Sequence, residues 1–254
     1  MKLKLPLLAN NEQILAKELL KKIDLSANKN QVTHFLTPVE QKLLQKIVAY
    51  NYKEVSLEFF GGYEGSERAK AKIIKFLNYD ISYEVSCLSA KFNTKFNNLT
   101  HRDVVGSVHS LGINFDRIGD IIIQDENIII FADNSLKDYL IANLTRIKKA
   151  NVSFLLKDFN DIEIKRNYET FFITALSLRA DIIISKITNK SRSKTSAMFE
   201  SEYIKINHFI IKNHNFGCKE EDLLSIRKYG RFILKNITQN KKNNKYRLEI
   251  NKII

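Results

Sequence analysis

The sequence predicts an α+β protein made of three consecutive regions. Over residues 81–157, apolar residues alternate as in strands or recur at helical spacing in the order β-α-β-β-α-β. That order is typical of the ferredoxin-like, or split βαβ, arrangement. The flanking regions mix helix and strand patterns in other orders. We therefore expect a mixed α/β domain over 1–80, a ferredoxin-like domain over 81–166 and a third domain over 167–254.

The N-terminal region starts with apolar residues at helical spacing over 12–23. A second helix is predicted to begin at Thr37, because Thr37 can cap it, Pro38 suits the first turn and Glu40 completes a capping box. Alternation over 55–59 predicts a half-buried strand. Residues 66–77 are predicted to form a helix.

The middle region is predicted to contain strands over 81–87, 118–123, 128–131 and 152–156, and helices over 100–111 and 135–147. RNA-recognition modules use this arrangement and stack bases on aromatic residues of the sheet. This region lacks that aromatic pattern, and it carries 11 basic and 11 acidic residues. Because one fold hosts many functions, RNA binding and protein binding both stay open here.

Composition excludes several classes of protein. The chain has 254 residues, of which 44% are hydrophobic and 27% are charged, so wholesale disorder is excluded. It has no apolar run of the ~18 residues that span a bilayer, and residues 1–10 lack the pattern of a signal peptide. We expect a soluble, cytoplasmic protein. Two distant cysteines exclude a disulfide framework and a thiolate-rich zinc site.

Positive charge is concentrated in the last third of the chain. Residues 167–254 carry 17 basic and 8 acidic residues, whereas residues 1–80 carry 13 and 9. A codon bias towards lysine would spread the charge evenly, and the neutral middle region argues against that explanation. Clustered basic charge indicates a site for a polyanion such as nucleic acid.

The C-terminal region is predicted to contain two short helices, over 178–187 and 192–199, and strands over 171–174, 203–207, 209–211, 223–227, 232–237 and 246–250. A polar turn at 239–244 joins the last two strands. Ser191 can cap the second helix, whose N-terminus attracts phosphate. Arg192 and Lys194 lie beside that end, and Arg179 on the first helix is expected to face the same side.

Two helices followed by a basic strand resemble the αL RNA-binding motif, first named for ribosomal protein S-four. That resemblance implies that the helices and the next turn present basic side chains to an RNA backbone. The alternative is that Ser191 only caps a helix with a solvated basic face. The chain departs from the motif at Glu202 and Glu221, where the family has turn glycines. The candidate RNA-binding residues are Arg179, Ser191, Arg192, Lys194, Lys205, Asn207, Arg227, Lys228 and Arg231.

Further motifs narrow the family. They are Phe59-Phe60-Gly61-Gly62-Tyr63, Glu67-Arg68, Leu99-Thr100-His101-Arg102-Asp103, Leu111-Gly112-Ile113, Ile118-Gly119-Asp120-Ile121 and Arg227-Lys228-Tyr229-Gly230-Arg231-Phe232. In this order they resemble the YlmH-like RNA-binding proteins of bacteria, over about residues 32–250. The resemblance implies binding to large-subunit rRNA, with tRNA nearby, and a role in ribosome rescue or translation quality control. Some members are linked to cell division, so division proteins are possible partners.

No catalytic set is apparent in the sequence. Thr100 and Asp103 are better explained as a capping box than as catalytic groups, and the Gly61–Gly65 segment lacks the Lys-Ser/Thr of a P-loop. We therefore expect an RNA-binding protein that is not an enzyme and that uses no cofactor, metal or membrane. Two alternatives stay open: a cell-division adaptor that binds protein through the middle region, and an RNA-modifying enzyme.

Overall fold

The computed structural model describes residues 10–25, 29–76, 81–95, 97–165, 167–240 and 244–254. The chain forms two compact units, unit 1 (Met1–Ile164) and unit 2 (Lys165–Ile254). Unit 1 contains both the N-terminal and the middle region, and unit 2 spans the C-terminal region. Leu77 of the helix predicted over 66–77, Arg166, and residues 241–243 of the predicted polar turn lie outside the described residues. Within the described ranges, no helix is long and apolar enough to cross a membrane.

Unit 1 combines helices with two sheets and a small hairpin. Its helices are α1 (Asn10–Leu25), α2 (Pro38–Asn51), α3 (His101–Ser110) and α4 (Lys137–Asn143). Its strands are β1 (Gln31–Val32), β2 (Ser56–Phe60), β3 (Lys70–Ile74), β4 (Val85–Lys91), β5 (Ile118–Gln124), β6 (Asn127–Asp133), β7 (Arg146–Ile147), β8 (Ala150–Asn151) and β9 (Leu155–Lys157). The sheet orders are β1-β3-β2 and β5-β6-β4-β9, and β7 pairs with β8.

Helix α2 begins as the sequence predicts. The backbone N–H of Thr37 donates to the Glu40 carboxylate at 2.5 Å, and the N–H of Glu40 donates to the Thr37 hydroxyl at 3.4 Å. This capping box fixes the first turn. The predicted apolar stripe is also confirmed, since Leu43, Leu44, Ile47 and Val48 are buried.

The helix predicted over 66–77 is wrong. The segment instead contains β3, the central strand of the first sheet. Its Lys70 ammonium is buried and donates to Asp133 and to the Glu84 carbonyl, both at 2.9 Å. Lys72 lies 4.5 Å from the centre of the Tyr83 ring. Partners distant in sequence therefore bury two lysines in a segment where the local pattern predicts a helix.

The four-stranded sheet is antiparallel throughout, and β4 lies between β6 and β9. Helices α3 and α4 connect strands that are not neighbours, and they cover one face of the sheet. The sequence predicted α4 to continue to 147, but it ends at Asn143 and a β7–β8 hairpin follows. Buried Ile147 and Ala150 anchor that hairpin, and Lys148 makes its turn with a φ of 51°.

Asp120 joins the N-terminal and middle regions into one unit. Its carboxylate accepts hydrogen bonds from the Tyr63 hydroxyl at 2.8 Å and from the backbone N–H groups of Glu67 and Arg68 at 2.7 and 3.0 Å. The Arg68 guanidinium donates to the carbonyls of Ile118 and Phe115 at 2.8 and 2.9 Å. These bonds link the segment from Tyr63 to Arg68 to the strand that carries Asp120.

Unit 2 packs two short helices against one antiparallel sheet. Its helices are α5 (Ala180–Thr188) and α6 (Arg192–Glu200). Its strands are β10 (Tyr168–Ala175), β11 (Ile204–Ile206), β12 (Phe209–Ile210), β13 (Leu223–Ile226), β14 (Gly230–Asn240) and β15 (Lys245–Ile253), in the order β10-β15-β14-β13-β11-β12. Each element predicted from the sequence is present. Buried Ile183, Ile184, Phe199, Leu248 and Ile250 form the centre of the core.

Two glutamates occupy left-handed turns in unit 2. Glu202 has a φ of 58° and Glu221 a φ of 64°. A left-handed backbone costs a residue other than glycine roughly 1–2 kcal/mol. The turns nevertheless form, because the backbone N–H of Glu202 donates to Phe199 at 3.1 Å and that of Glu221 donates to Leu234 at 2.7 Å. Glutamate at these two positions therefore forms left-handed turns at a cost in stability.

Candidate nucleic-acid interface

A buried carboxylate holds two arginines together at the start of the two helices in unit 2. Asp181 lies in the first turn of α5 and is 3% exposed. Arg179 precedes α5 and makes a bidentate pair with Asp181 at 3.0 and 2.9 Å. Arg192, at the start of α6, donates to the same carboxylate at 3.3 Å. The three side chains thus link the two helix starts, and we call them the arginine clip.

The clip leaves both cations accessible. The side chains of Arg179 and Arg192 are 40% and 63% exposed, whereas that of Asp181 is 5% exposed. Desolvation on its own would raise the pKa of Asp181, but the hydrogen bonds and charges of Arg179 and Arg192 outweigh it, and the pKa is lowered. The carboxylate therefore stays ionised at neutral pH. It fixes the position of both guanidiniums while their outer N–H groups can still bind an anion.

The start of α6 adds two further candidate residues to the clip. The Ser191 hydroxyl accepts from the backbone N–H of Lys194 at 3.4 Å and caps the helix. Lys194 is exposed in the first turn. The predicted cap is therefore confirmed, and the capped end carries Arg192 and Lys194 side by side. We call Arg179, Ser191, Arg192 and Lys194 the helix cluster.

Four other candidate residues line one groove, which we call the strand groove. It has a volume of about 510 Å³, and the basic residues along it are Lys205, Arg227, Lys228 and Arg231. Lys205 pairs with Ser225 across β11 and β13, and Ser225 pairs with Arg231 across β13 and β14. These residues follow each other across three strands on the face opposite the core. The Arg227 guanidinium lies 4.8 Å from the centre of the Tyr203 ring, which also lines the groove.

Asn207 has a structural task in the folded chain. Its side-chain amide donates to Asp222 at 2.7 Å, and its carbonyl oxygen accepts from the backbone N–H of Leu223 at 3.0 Å. Both halves of the amide are thus engaged inside unit 2. Asn207 positions the turn after β11 and is not grouped with the helix cluster or the strand groove.

Sequence reasoning missed Asp181 and Tyr203 as parts of the interface. The signal for Asp181 was its spacing of two residues from Arg179 at a helix start, which places a carboxylate within reach of that arginine. Glu202 also lines the strand groove, where it forms an ion pair with Lys212 at 2.9 Å. The negative charge that Glu202 brings to the strand groove is therefore partly neutralised.

The chain is similar in sequence to a described domain family and to a bacterial protein. The family model described as "Putative RNA-binding domain in YlmH" matches residues 79–161. The chain is 29% identical over 223 residues to "Ribosome-associated protein quality control protein P2" of Bacillus subtilis (strain 168), covering 86% of this chain and 85% of that protein.

A solved structure, "Cell division protein ylmH from Streptococcus pneumoniae", matches with a TM-score of 0.51 and 21% identity, covering 62% of this chain and 97% of that one. At that identity the likeness concerns the fold. The sequence motifs, the family model and the curated relative agree with one another. The chain is thus similar to YlmH-like proteins, in residues 79–161 and along most of the length of the Bacillus relative.

Proposed function

We propose that this protein binds RNA through unit 2 and performs no chemistry on it. The observation that carries the proposal is the arginine clip, in which buried Asp181 presents Arg179 and Arg192 to solvent. Arginines with fixed geometry suit the bidentate recognition of phosphate. Lys194 and the basic residues of the strand groove extend the contact, in a region with 17 basic and 8 acidic residues.

The proposed RNA is that of the large ribosomal subunit, with tRNA as a second ligand. The name of the Bacillus relative supports a place at the ribosome and in protein quality control. Contacts to phosphate position a protein but carry little sequence information, so specificity has to come from RNA shape. We place the protein in the cytoplasm, in rescue or quality control of stalled ribosomes.

This function fits a specific architecture. We propose that β4–α3–β5–β6–α4–β9 is a ferredoxin-like module and that unit 2 is an αL-motif module. The strand order β5-β6-β4-β9 and the two helix starts joined by the arginine clip support these assignments.

A role without catalysis fits the two cysteines. Both are buried, and burial raises the pKa of Cys87 and Cys218 to about 12. A thiol with such a pKa is almost entirely protonated at neutral pH and is a poor nucleophile. Neither cysteine is therefore suited to attack an RNA base or an ester bond.

The ribosomal part of the proposal predicts a salt-dependent distribution in sucrose gradients of cell lysate. At low salt the protein is expected to sediment with large subunits, and at high salt it is expected to move to the top, because phosphate contacts weaken with salt. Immunoblotting of the fractions measures this. A protein that stays at the top at both salt concentrations, even when ribosomes are stalled, would contradict the ribosomal role.

The alternative function is a cell-division adaptor, and one observation favours it. Leu155 and Leu156 on β9, at an edge of the four-stranded sheet, are 68% and 58% exposed. Exposed apolar residues on an edge strand are typical of a protein-binding site. Recovery of division proteins with this chain after RNase treatment, combined with its absence from ribosomal fractions, would support the adaptor.

A further inference from the structure

The open face of the four-stranded sheet, which RNA-recognition modules use for stacking bases, is covered in this chain. Cys87, Ile129 and Phe131 point to that face and are at most 6% exposed. Tyr63 from the N-terminal region stacks on Phe131 with ring centres 5.1 Å apart. The segment that follows β9 packs there as well, through Phe159, Ile162 and Ile164.

The cover is held by specific bonds. Asp120 fixes the Tyr63 hydroxyl at 2.8 Å, and a Cβ atom on Gly62 would meet the Phe131 ring at 2.1 Å. RNA bases cannot stack on the sheet face without displacing this loop. Any contact between the middle region and RNA therefore needs another surface.

Such a surface lies at one end of the sheet and includes the β7–β8 hairpin. A groove of about 410 Å³ brings Lys91 and Lys95, at the end of β4, together with Asn151 of β8. Asn151 pairs with Arg146 across the hairpin. We call Lys91, Lys95, Arg102, Arg146, Lys148 and Lys149 the hairpin surface, and each of these six residues is exposed.

The hairpin surface continues to the start of α3. The Lys148 ammonium lies 2.7 Å from the Asp103 carboxylate, next to exposed Arg102. Hydrogen bonds from Lys148 and Thr100 lower the pKa of Asp103 to about 2, so this carboxylate stays ionised and holds the hairpin against α3. The surface is thus one contiguous patch built from β4, the hairpin and α3.

The neutral total charge of residues 81–166 conceals this patch. Residues 139–157 contain four basic residues and no acidic residue. The acidic Glu84 and Asp133 lie at the opposite end of β4 from Lys91, and there they bind Lys70 and Asn134 of the chain itself. Positive and negative charges are therefore separated along β4.

We propose that the hairpin surface is a second RNA contact site, which binds the phosphate backbone and does not stack bases. The inference rests on the proposed RNA-binding function and names the part of unit 1 that would take part in it. Six exposed cations, which lie beside the acidic Asp103 and Glu126, give this surface an excess of positive charge that matches a polyanion. Because the open face of the sheet is covered, stacking of RNA bases on that face is excluded for this region.

The test compares two variants of the full-length protein with equal charge changes. The first, Lys91→Glu, Lys95→Glu and Lys149→Glu, reverses three exposed lysines of the hairpin surface. The control, Lys17→Glu, Lys46→Glu and Lys53→Glu, reverses three exposed lysines elsewhere in unit 1. Binding is measured by fluorescence anisotropy with a 24-base-pair RNA duplex over a range of salt concentrations, and by co-sedimentation with purified large ribosomal subunits.

The hairpin variant is expected to bind both probes at least ~10-fold more weakly than the control. Its log–log salt slope should be lower in magnitude by about 2–3, as expected for three lost phosphate contacts. Equal binding by both variants would overturn the proposal that the hairpin surface contacts RNA. It would leave the proposal of RNA binding by unit 2 intact. Absence of binding by the unaltered protein would overturn both proposals. If the hairpin variant bound the RNA duplex normally and lost binding only to the ribosomal subunits, the ligand of the hairpin surface would be a protein, and its assignment to RNA would be overturned.

Discussion

Reversing the charges of Arg192 and Lys194 is expected to weaken RNA binding on the order of 10- to 100-fold. Both side chains are exposed at the capped start of α6. The fold should survive, because Arg179 retains its bidentate pair with Asp181. Affinity for large-subunit rRNA is measured by filter binding for Arg192→Glu with Lys194→Glu. Lys46→Glu with Lys53→Glu is the control with an equal change in charge.

The variant Asp181→Asn distinguishes the effect of holding Arg179 and Arg192 in position from the effect of the protein's net charge. This variant raises the net charge by one, so general attraction to RNA predicts tighter binding. If the clip acts by holding two arginines in place, the variant binds more weakly even though it is more basic. Tighter binding by a variant that remains folded in circular dichroism would contradict the role given to the clip.

Gly62→Ala is expected to destabilise the protein by about 3 kcal/mol or more. Gly62 has a φ of 106°, and an added Cβ would lie 2.1 Å from Cδ1 of Phe131. The backbone strain and the overpacking each cost about 1–3 kcal/mol. For a chain of this size, that loss lowers the Tm by roughly 6–12 °C. Differential scanning calorimetry of the purified variant measures the change.

Gly106→Ala is the matched control with the opposite sign. Gly106 lies inside α3 with no atom within 4 Å of an added Cβ. Alanine is the better helix former there, so the variant should gain about 0.5–1 kcal/mol. The outcome that would contradict the Gly62 prediction is a Tm of Gly62→Ala similar to that of the unaltered protein. It would show that the loop carrying Gly62 and Tyr63 does not pack against Phe131 of the sheet.

Features fixed by neighbouring residues could be predicted from the sequence. The capping box of Thr37 and Glu40 and the cap at Ser191 each join residues three positions apart, and both form as predicted. The helices and strands of unit 2 also follow the local apolar pattern. Among the candidate residues, the structure brings together Arg179 and Arg192 at Asp181, and Lys205, Arg227, Lys228 and Arg231 along one groove.

Features that depend on distant partners could not be predicted. The lysines of β3 are buried because Lys70 meets Asp133, 63 residues away in the sequence. The covered sheet face likewise needs Tyr63 and Asp120, which are 57 residues apart. Charge counted along the chain also does not show where charge lies in space, since the total for residues 81–166 averages the hairpin surface with Glu84 and Asp133 at the other end of β4.

Cross-linking the full-length protein to RNA in living cells tests RNA binding by unit 2 most directly. Sequencing identifies the RNA, and mass spectrometry identifies the cross-linked peptides. The predicted result is large-subunit rRNA, with tRNA beside it, joined to peptides that contain Arg192 and Lys194 or Lys205 and the 227–231 segment. Cross-links confined to other parts of the chain, or an absence of ribosomal RNA among the sequences, would contradict RNA binding through the arginine clip.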